Sequence, residues 1–235
     1  PAVAEMVKTT DSSIDLKGLE QGVFTDFFRA CIFRDKQSQK DHHGLLEIGD
    51  KIAEKLKGSP LAAKTVGRLL RNHLDVYHWK RVLESREWEM QTGERDIMPA
   101  LKLSYDYLSF HLQQCFSRCA LFPEDYMFNS EELIHFWIGL DILPSGDRNK
   151  TVEDLGVDIL NDLVNHGFFK KDETGGHPYY IIHDLLHDLA LKVASHECLS
   201  FHHSNVRSVE IWPSIRHLTI MDDPDDSNGI TDENF

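Results

Sequence analysis

The sequence predicts a mainly α-helical chain with a single β-hairpin in its C-terminal third. Three observations predict it. Apolar residues recur at the three-and-four spacing of amphipathic helices along most of the chain. The period switches to two only at residues 168–173 and 177–182, which flank Thr174-Gly175-Gly176, a hairpin signal. Of the 235 residues, 41% are hydrophobic and 27% charged, proportions that exclude collagen-like, disordered and coiled-coil classes. No apolar run approaches the roughly 18 residues that a membrane-spanning helix needs, so no integral membrane segment is expected.

In chain order, Ile14-Asp15-Leu16 reads as a short strand closed by Gly18. From about Glu20 the pattern is helical, with Val23, Phe24, Phe27, Phe28, Cys31 and Ile32 expected on one buried face. Residues 35–44 are polar and read as a loop. A second amphipathic helix covers 45–56, with Leu45, Ile48, Ile52 and Leu56 on its stripe. Gly58-Ser59-Pro60 stops it, because Gly favours a helix end and Pro cannot extend the hydrogen-bond ladder. Pro60 then opens a helix that runs to about Arg71, its missing N–H costing nothing in a first turn.

The polar segment 91–96 marks a boundary between two parts. Helices follow at about 97–107, 111–121, 131–140 and 152–166. Asn129 stands three residues before Glu132, and Thr151 three before Asp154, both resembling capping boxes. The helix after Thr151 is expected to bury Val152, Leu155, Ile159, Leu160, Leu163 and Val164. After the hairpin a helix restarts near Asp184, with Leu185, Leu186, Leu189, Ala190 and Val193 inward. Three helices, a hairpin and a closing helix are the layout of a winged-helix domain. The tail from His217 to Phe235 holds six acids and no Lys or Arg, so it is expected to be exposed and weakly ordered. The chain shows no internal repeat.

Charge and cysteines narrow the function. Lys plus Arg number 25 against 39 for Asp plus Glu, a net charge of −14, which argues against a nucleic-acid surface. Cys31, Cys115, Cys119 and Cys198 do not make a disulfide framework in a chain of this length. Cys115 and Cys119 share a helix face and read as small core residues rather than a metal or redox pair. The chain opens without a charged-then-apolar leader, so a cytoplasmic location is expected.

The motifs for chemistry are sparse. No Gly is followed by Lys, so a P-loop is absent. His183-Asp184-Leu185-Leu186-His187 mimics the spacing of a zinc protease, but Asp184 is a carbon shorter than the expected Glu, and His166, His177 and His196 are weak choices for a third ligand. A helix-start residue and an ordinary surface His are the simpler reading of that pair. The helix at 152–166 carries Glu153, Asp154, Asp158 and Asp162 and no cation, unlike a helix that reads DNA. Lys170 and Lys171 are the only cations of the wing. No serine sits in a nucleophile elbow, and the chain is not expected to be an enzyme.

Gly58-Ser59-Pro60-Leu61-Ala62, residues 115–125, Leu133-Ile134-His135-Phe136-Trp137 and Ile182-His183-Asp184, in this order, together resemble a plant intracellular immune receptor of the nucleotide-binding, leucine-rich-repeat class. Gly58-Ser59-Pro60-Leu61-Ala62 is similar to that family's Gly-Leu-Pro-Leu-Ala motif. Residues 115–125, Cys-Phe-Ser-Arg-Cys-Ala-Leu-Phe-Pro-Glu-Asp, resemble its Cys-Phe…Phe-Pro-Glu-Asp segment, and Leu133-Ile134-His135-Phe136-Trp137 the Leu-Ile-x-x-Trp stretch that follows. Ile182-His183-Asp184 stands where the family has Met-His-Asp. Residues 16–33 look like the connection from a nucleotidase core, and Ile215-Arg216-His217-Leu218 like the start of the repeats. Ser59 and Ile182 depart mildly from the usual residues.

The resemblance implies a switch in which ADP locks a closed receptor and exchange for ATP releases the winged helix and permits homo-oligomerisation. It assigns Pro60 and Leu61 to the nucleotide, with the Pro60 ring against adenine. It gives His183 a hydrogen bond to the β-phosphate and leaves Gly58 and Asp184 as structural elements of the switch. It divides the chain into a nucleotidase remnant (1–18), a helical subdomain (19–96), a winged helix (97–197) and a linker with the first repeat (198–235). The partners implied are the nucleotidase core and the leucine-rich repeats of the parent. The family's P-loop and magnesium site would precede Pro1, so the chain alone is expected to bind ADP weakly or not at all. Two other readings are an interaction or regulatory module that binds no nucleotide and, more weakly, a DNA-binding winged helix.

Overall fold

The computed structural model describes residues 19–33, 35–93, 96–144, 149–174, 178–202 and 211–221. The strand expected at Ile14-Asp15-Leu16, the centre of the hairpin turn and the acidic tail beyond Met221 lie outside them.

The first layer is helical. α1 (Gln21–Ile32) buries Phe24, Phe28 and Ile32, a stripe at i, i+4 and i+8. Val23 was expected on that stripe and is instead 58% exposed, because it flanks the stripe one step round the helix. The stretch expected to be a loop after it contains a short helix, α2 (Lys36–Asp41), started by the Asp35 carboxylate, which accepts from the Ser38 N–H at 2.7 Å. α3 (Leu46–Lys55) ends at Lys57 and Gly58, both in the left-handed region, with φ of 54° and 71°. α4 (Pro60–Arg71) follows at once. Ser59 caps it through Ala62 N–H, Pro60 occupies its first turn, and Ala62, Ala63, Val66, Leu69 and Leu70 are buried. α1 and α4 pack so closely that a Cβ on Gly67 would lie 2.7 Å from the Cys31 Cβ. α5 (Val76–Leu83), in an interval where no helix was expected, is capped by Asp75 and seals the layer with Trp79, fully buried. The Trp79 indole N–H donates to the His73 carbonyl at 3.0 Å, so its one polar atom is satisfied.

The second part is the winged helix: α6 (Met98–Asp106), α7 (Phe110–Arg118), α8 (Ser130–Gly139), α9 (Val152–His166) and α10 (Asp184–Ala194) around a small sheet. Asp96, in the polar boundary segment, accepts from the Met98 N–H and begins α6. Asn129 caps α8, but through Glu131 N–H; the Glu132 carboxylate takes the Tyr126 hydroxyl instead of closing a box. The Thr151–Asp154 box on α9 is complete. Val152 was expected on the inner face of α9 and is 41% exposed, at the first residue of that helix. Leu185 on α10 likewise stands 36% exposed, whereas Leu186, Leu189 and Ala190 are buried.

The hairpin is β2 (Lys170–Asp172) against β3 (Tyr179–Ile181), antiparallel, with Lys171 opposite Tyr180. A third strand, β1 (Phe128–Asn129), pairs on the other side of β3, giving the order β1-β3-β2. Phe122, Phe128, Phe168 and Phe169 knit this sheet to the helices: Phe116 meets Phe168 edge-on at 4.8 Å, and Phe122 meets Phe128 at 4.8 Å. Beyond α10, β4 (Cys198–His202) runs parallel to β5 (His217–Met221). This corrects the expectation of weak order for the start of the tail: residues 217–221 form a strand, with Leu218 and Ile220 exposed, through a non-local pairing that local polarity does not reveal. The Arg118 side chain is buried and pairs with Glu197 at 2.5 Å, bolting this two-stranded unit to α7.

Candidate functional site

The expected nucleotide and switch residues come from two distant parts of the chain, and the fold brings two of the nucleotide residues, Leu61 and His183, and the switch residue Asp184 to one cavity. That cavity, of about 300 Å³, lies between α4 and the base of the wing. Leu61 lines it from α4; His183 and Asp184 line it from the start of α10. Lys64 and Arg68 also line it, since residues 61, 64 and 68 follow one face of α4 at three-and-four spacing. Lys170 of β2 and Asp125 complete its charged groups. Three cations against two carboxylates give this wall a formal +1 in a chain of −14. Ile182 and Phe169 supply apolar wall.

His183 is the N-cap of α10. Its Nδ1 accepts from the Leu185 N–H at 3.3 Å, so the neutral ring carries its proton on Nε2. The opposite nitrogen is thereby a donor, at a helix start whose first N–H groups already favour an anion. Asp184 occupies the first turn of α10 and is exposed. Its carboxylate makes no hydrogen bond to His183 among the described residues, so the ring is oriented by the Leu185 amide and not by its acidic neighbour. Pro60 is exposed at the start of α4, and neither it nor Gly58 lines the cavity.

Arg68 and Gly167 were not singled out by the sequence. The Arg68 Nη1 donates to the Val164 carbonyl at 2.7 Å, at the end of α9. Gly167 terminates α9 with φ of 85°, a left-handed cap that glycine adopts without a Cβ penalty. A Cβ there would also come within 2.8 Å of Arg68 Nη1. Burial lowers the proton affinity of the guanidinium, which still remains a cation at neutral pH. The signal that reveals Lys64 and Arg68 is their spacing from Leu61 on the helix that Pro60 opens.

The other chemical candidates resolve differently. His187 is buried, and its Nε2 donates to the Phe122 carbonyl at 2.9 Å, which corrects its reading as a surface His. It points into the wing core while His183 caps at the helix start, and no group of three or more metal-ligating residues occurs among the described residues. Cys115 and Cys119 are fully buried on α7 and the turn after it. Burial pushes the Cys115 thiol up to about 12, and the Cys119 thiol well above its usual value. Glu153, Asp154 and Asp158 stand on the exposed face of α9, where a DNA-reading helix needs cations. Among the described residues, no helix is long and apolar enough to cross a membrane.

Comparison with known proteins fits this architecture. The family described as "Disease resistance protein Winged helix domain" matches residues 121–190, which run from the turn after α7 into α10. The chain is 38% identical over 188 residues to the putative disease resistance protein RGA4 of Solanum bulbocastanum, covering 79% of this chain and 19% of that protein. It is 39% identical over 166 residues to disease resistance protein RGA2 of the same species, covering 70% and 17% respectively. A putative disease resistance RPP13-like protein 1 of Arabidopsis thaliana is 32% identical over 179 residues, or 75% of this chain and 16% of that protein. The chain thus spans less than a fifth of the length of these curated relatives. At residues 121–190 it carries the winged-helix domain of disease resistance proteins, and its similarity to plant disease resistance proteins continues beyond that domain.

Proposed function

We propose that this chain is the helical and winged-helix part of an ADP/ATP-dependent switch in a plant intracellular immune receptor, and that it holds the closed, ADP-bound state. The observation that carries the reading is the meeting of Leu61 on α4 with His183 on α10 in one cavity whose wall is cationic. A nucleoside diphosphate supplies a compact polyanion and a flat apolar base. The donor set suits the anion: His183 Nε2 donates, the α10 start adds its dipole, and Lys64 and Lys170 add charge from both sides. The fit to the base is less complete, because Pro60 lies outside the cavity wall, and its contact with adenine rests on the resemblance alone.

In this reading 19–96 is the helical subdomain, 97–197 the winged helix and 198–235 the passage to leucine-rich repeats. A nucleotidase core and those repeats are its intramolecular partners, activation permits self-association, and the compartment is the cytoplasm. No residue set for bond breaking is required; the chain orients and releases a ligand. Because it contains no Gly-Lys P-loop, most of the phosphate grip is missing from it. Calorimetric titration of ADP into this chain is expected to give a dissociation constant weaker than micromolar, and weaker again in His183→Ala. Submicromolar binding overturns the expected division of labour, and equal binding by His183→Ala removes that residue from the site.

A second reading, an interaction module without nucleotide, draws on the same missing P-loop. It predicts no ADP heat at any concentration.

A further inference from the structure

The cavity and the seam between the two helical parts share one side chain. α4 carries Leu61, Lys64 and Arg68 along the face that meets the winged helix, and Asn72 continues the same row one turn on. Asn72 Nδ2 lies 3.0 Å from His166 Nε2, at the last residue of α9. Arg68 donates through Nη1 to the Val164 carbonyl, in the last turn of the same helix, where the macrodipole is negative. Its guanidinium has further N–H donors in a rigid fork, and Val164 is its one hydrogen-bond acceptor among the described residues. It borders the same cavity as His183.

We propose that Arg68 is a positioning residue that transmits occupancy of the cavity to the α4–α9 seam. The occupant is an anion of the diphosphate class, so the proposal rests on the reading of the cavity given above. Nη1 stays on Val164 while the remaining donors turn to the anion. Arg68 is then fixed between two acceptors, and the end of α9 is held to α4 more firmly than in the free chain. Gly167 makes this possible, since any Cβ at that position intrudes on the guanidinium. Reciprocity follows from linkage: whatever strengthens the seam must also tighten anion binding, by the same factor. Lys64 and Lys170 line the cavity and, among the described residues, make no hydrogen bond to the end of α9, so they add attraction but no coupling.

The test is hydrogen exchange of the full chain, read by mass spectrometry, with and without millimolar inorganic pyrophosphate, with ADP as a second arm and sulfate at matched ionic strength as the control. Pyrophosphate and ADP are both expected to slow exchange at 183–187, the α10 start, and at 163–169, the end of α9. Arg68→Lys keeps the charge and removes the fork. In that variant, protection at 183–187 is expected to persist while protection at 163–169 is lost. Lys170→Ala is expected to weaken both in parallel. Seam protection in Arg68→Lys equal to the parent overturns the coupling role and leaves the cavity reading intact. Absence of protection at 183–187 in the parent with either ligand overturns the cavity reading and the coupling with it. Equal protection by sulfate reduces the effect to ionic strength and refutes both. Circular dichroism of Arg68→Lys, expected to match the parent, separates loss of coupling from loss of fold.

Discussion

Gly67→Ala tests the packing on which the cavity depends, because α4 carries one wall of the site and rests on α1. An added Cβ falls 2.7 Å from the Cys31 Cβ and 3.4 Å from the Cys31 carbonyl carbon. Carbon atoms prefer roughly 3.5–4.0 Å, so the shortfall is about 1 Å. Neither atom can rotate away, since a Cβ is fixed by its own backbone; the two helices must part. Overpacking of this kind costs about 1–3 kcal/mol. Ala returns up to about 1 kcal/mol through helix propensity. The net expectation is a loss of about 1–2 kcal/mol, near a tenfold fall in the folded-to-unfolded ratio. Gly22→Ala, on α1 with nothing within 4 Å of its added Cβ, is expected to be neutral or stabilising by up to about 1 kcal/mol. Urea unfolding followed by tryptophan fluorescence reads both, because Trp79 and Trp88 are buried in this layer. A Gly67→Ala midpoint at or above that of the parent refutes the close approach.

Three other outcomes follow from single contacts. The Arg118 guanidinium holds the Glu197 carboxyl below its ordinary value of 4.5. Its contribution to stability is therefore complete above that value and lost as pH falls through the lowered one; Glu197→Gln should flatten this acid limb of the urea midpoint against pH, and an unchanged limb contradicts the pairing. Cys115, with its thiol at about 12, should resist an aromatic disulfide reagent at mildly alkaline pH until the chain unfolds, and rapid native labelling there would show that α7 is not packed as described. In a full-length receptor carrying this segment, Asp184→Val removes a carboxylate from the first turn of α10 and so weakens the helix start that His183 caps. Transient expression should then give cell death without pathogen, and a quiet, fully regulated receptor counts against the switch.

Much of this arrangement is legible in the sequence where one local signal suffices. Pro60 after Ser59 announces α4, the Thr151–Asp154 box announces α9, and the change of period around Thr174 announces the hairpin. Periodicity is less reliable at the flanks of a stripe. Val23, Val152 and Leu185 fit the apolar pattern yet point outward, because facing depends on the partner helix and not on spacing alone. α2 escapes notice for the opposite reason: it has no buried residue and exists through its Asp35 cap. β1 is two residues long and is defined by Tyr179 and Tyr180, some fifty positions away. β4 and β5 pair across an intervening segment in the same non-local way. The site divides similarly. His183 and Leu61 are visible as motifs, and Lys64 and Arg68 share the helical row of Leu61, but the contact of Arg68 with the end of α9 and the place of Gly167 beside it appear only when α4 meets α9.

The central claim is that Leu61 and His183 serve one ligand. Methyl and imidazole NMR of the chain during an ADP titration tests it most directly. The account predicts that the Leu61 methyls, the Ile182 methyls and the His183 ring shift together along a single binding curve. Shifts confined to one side of the cavity, or none at millimolar ADP, would contradict it.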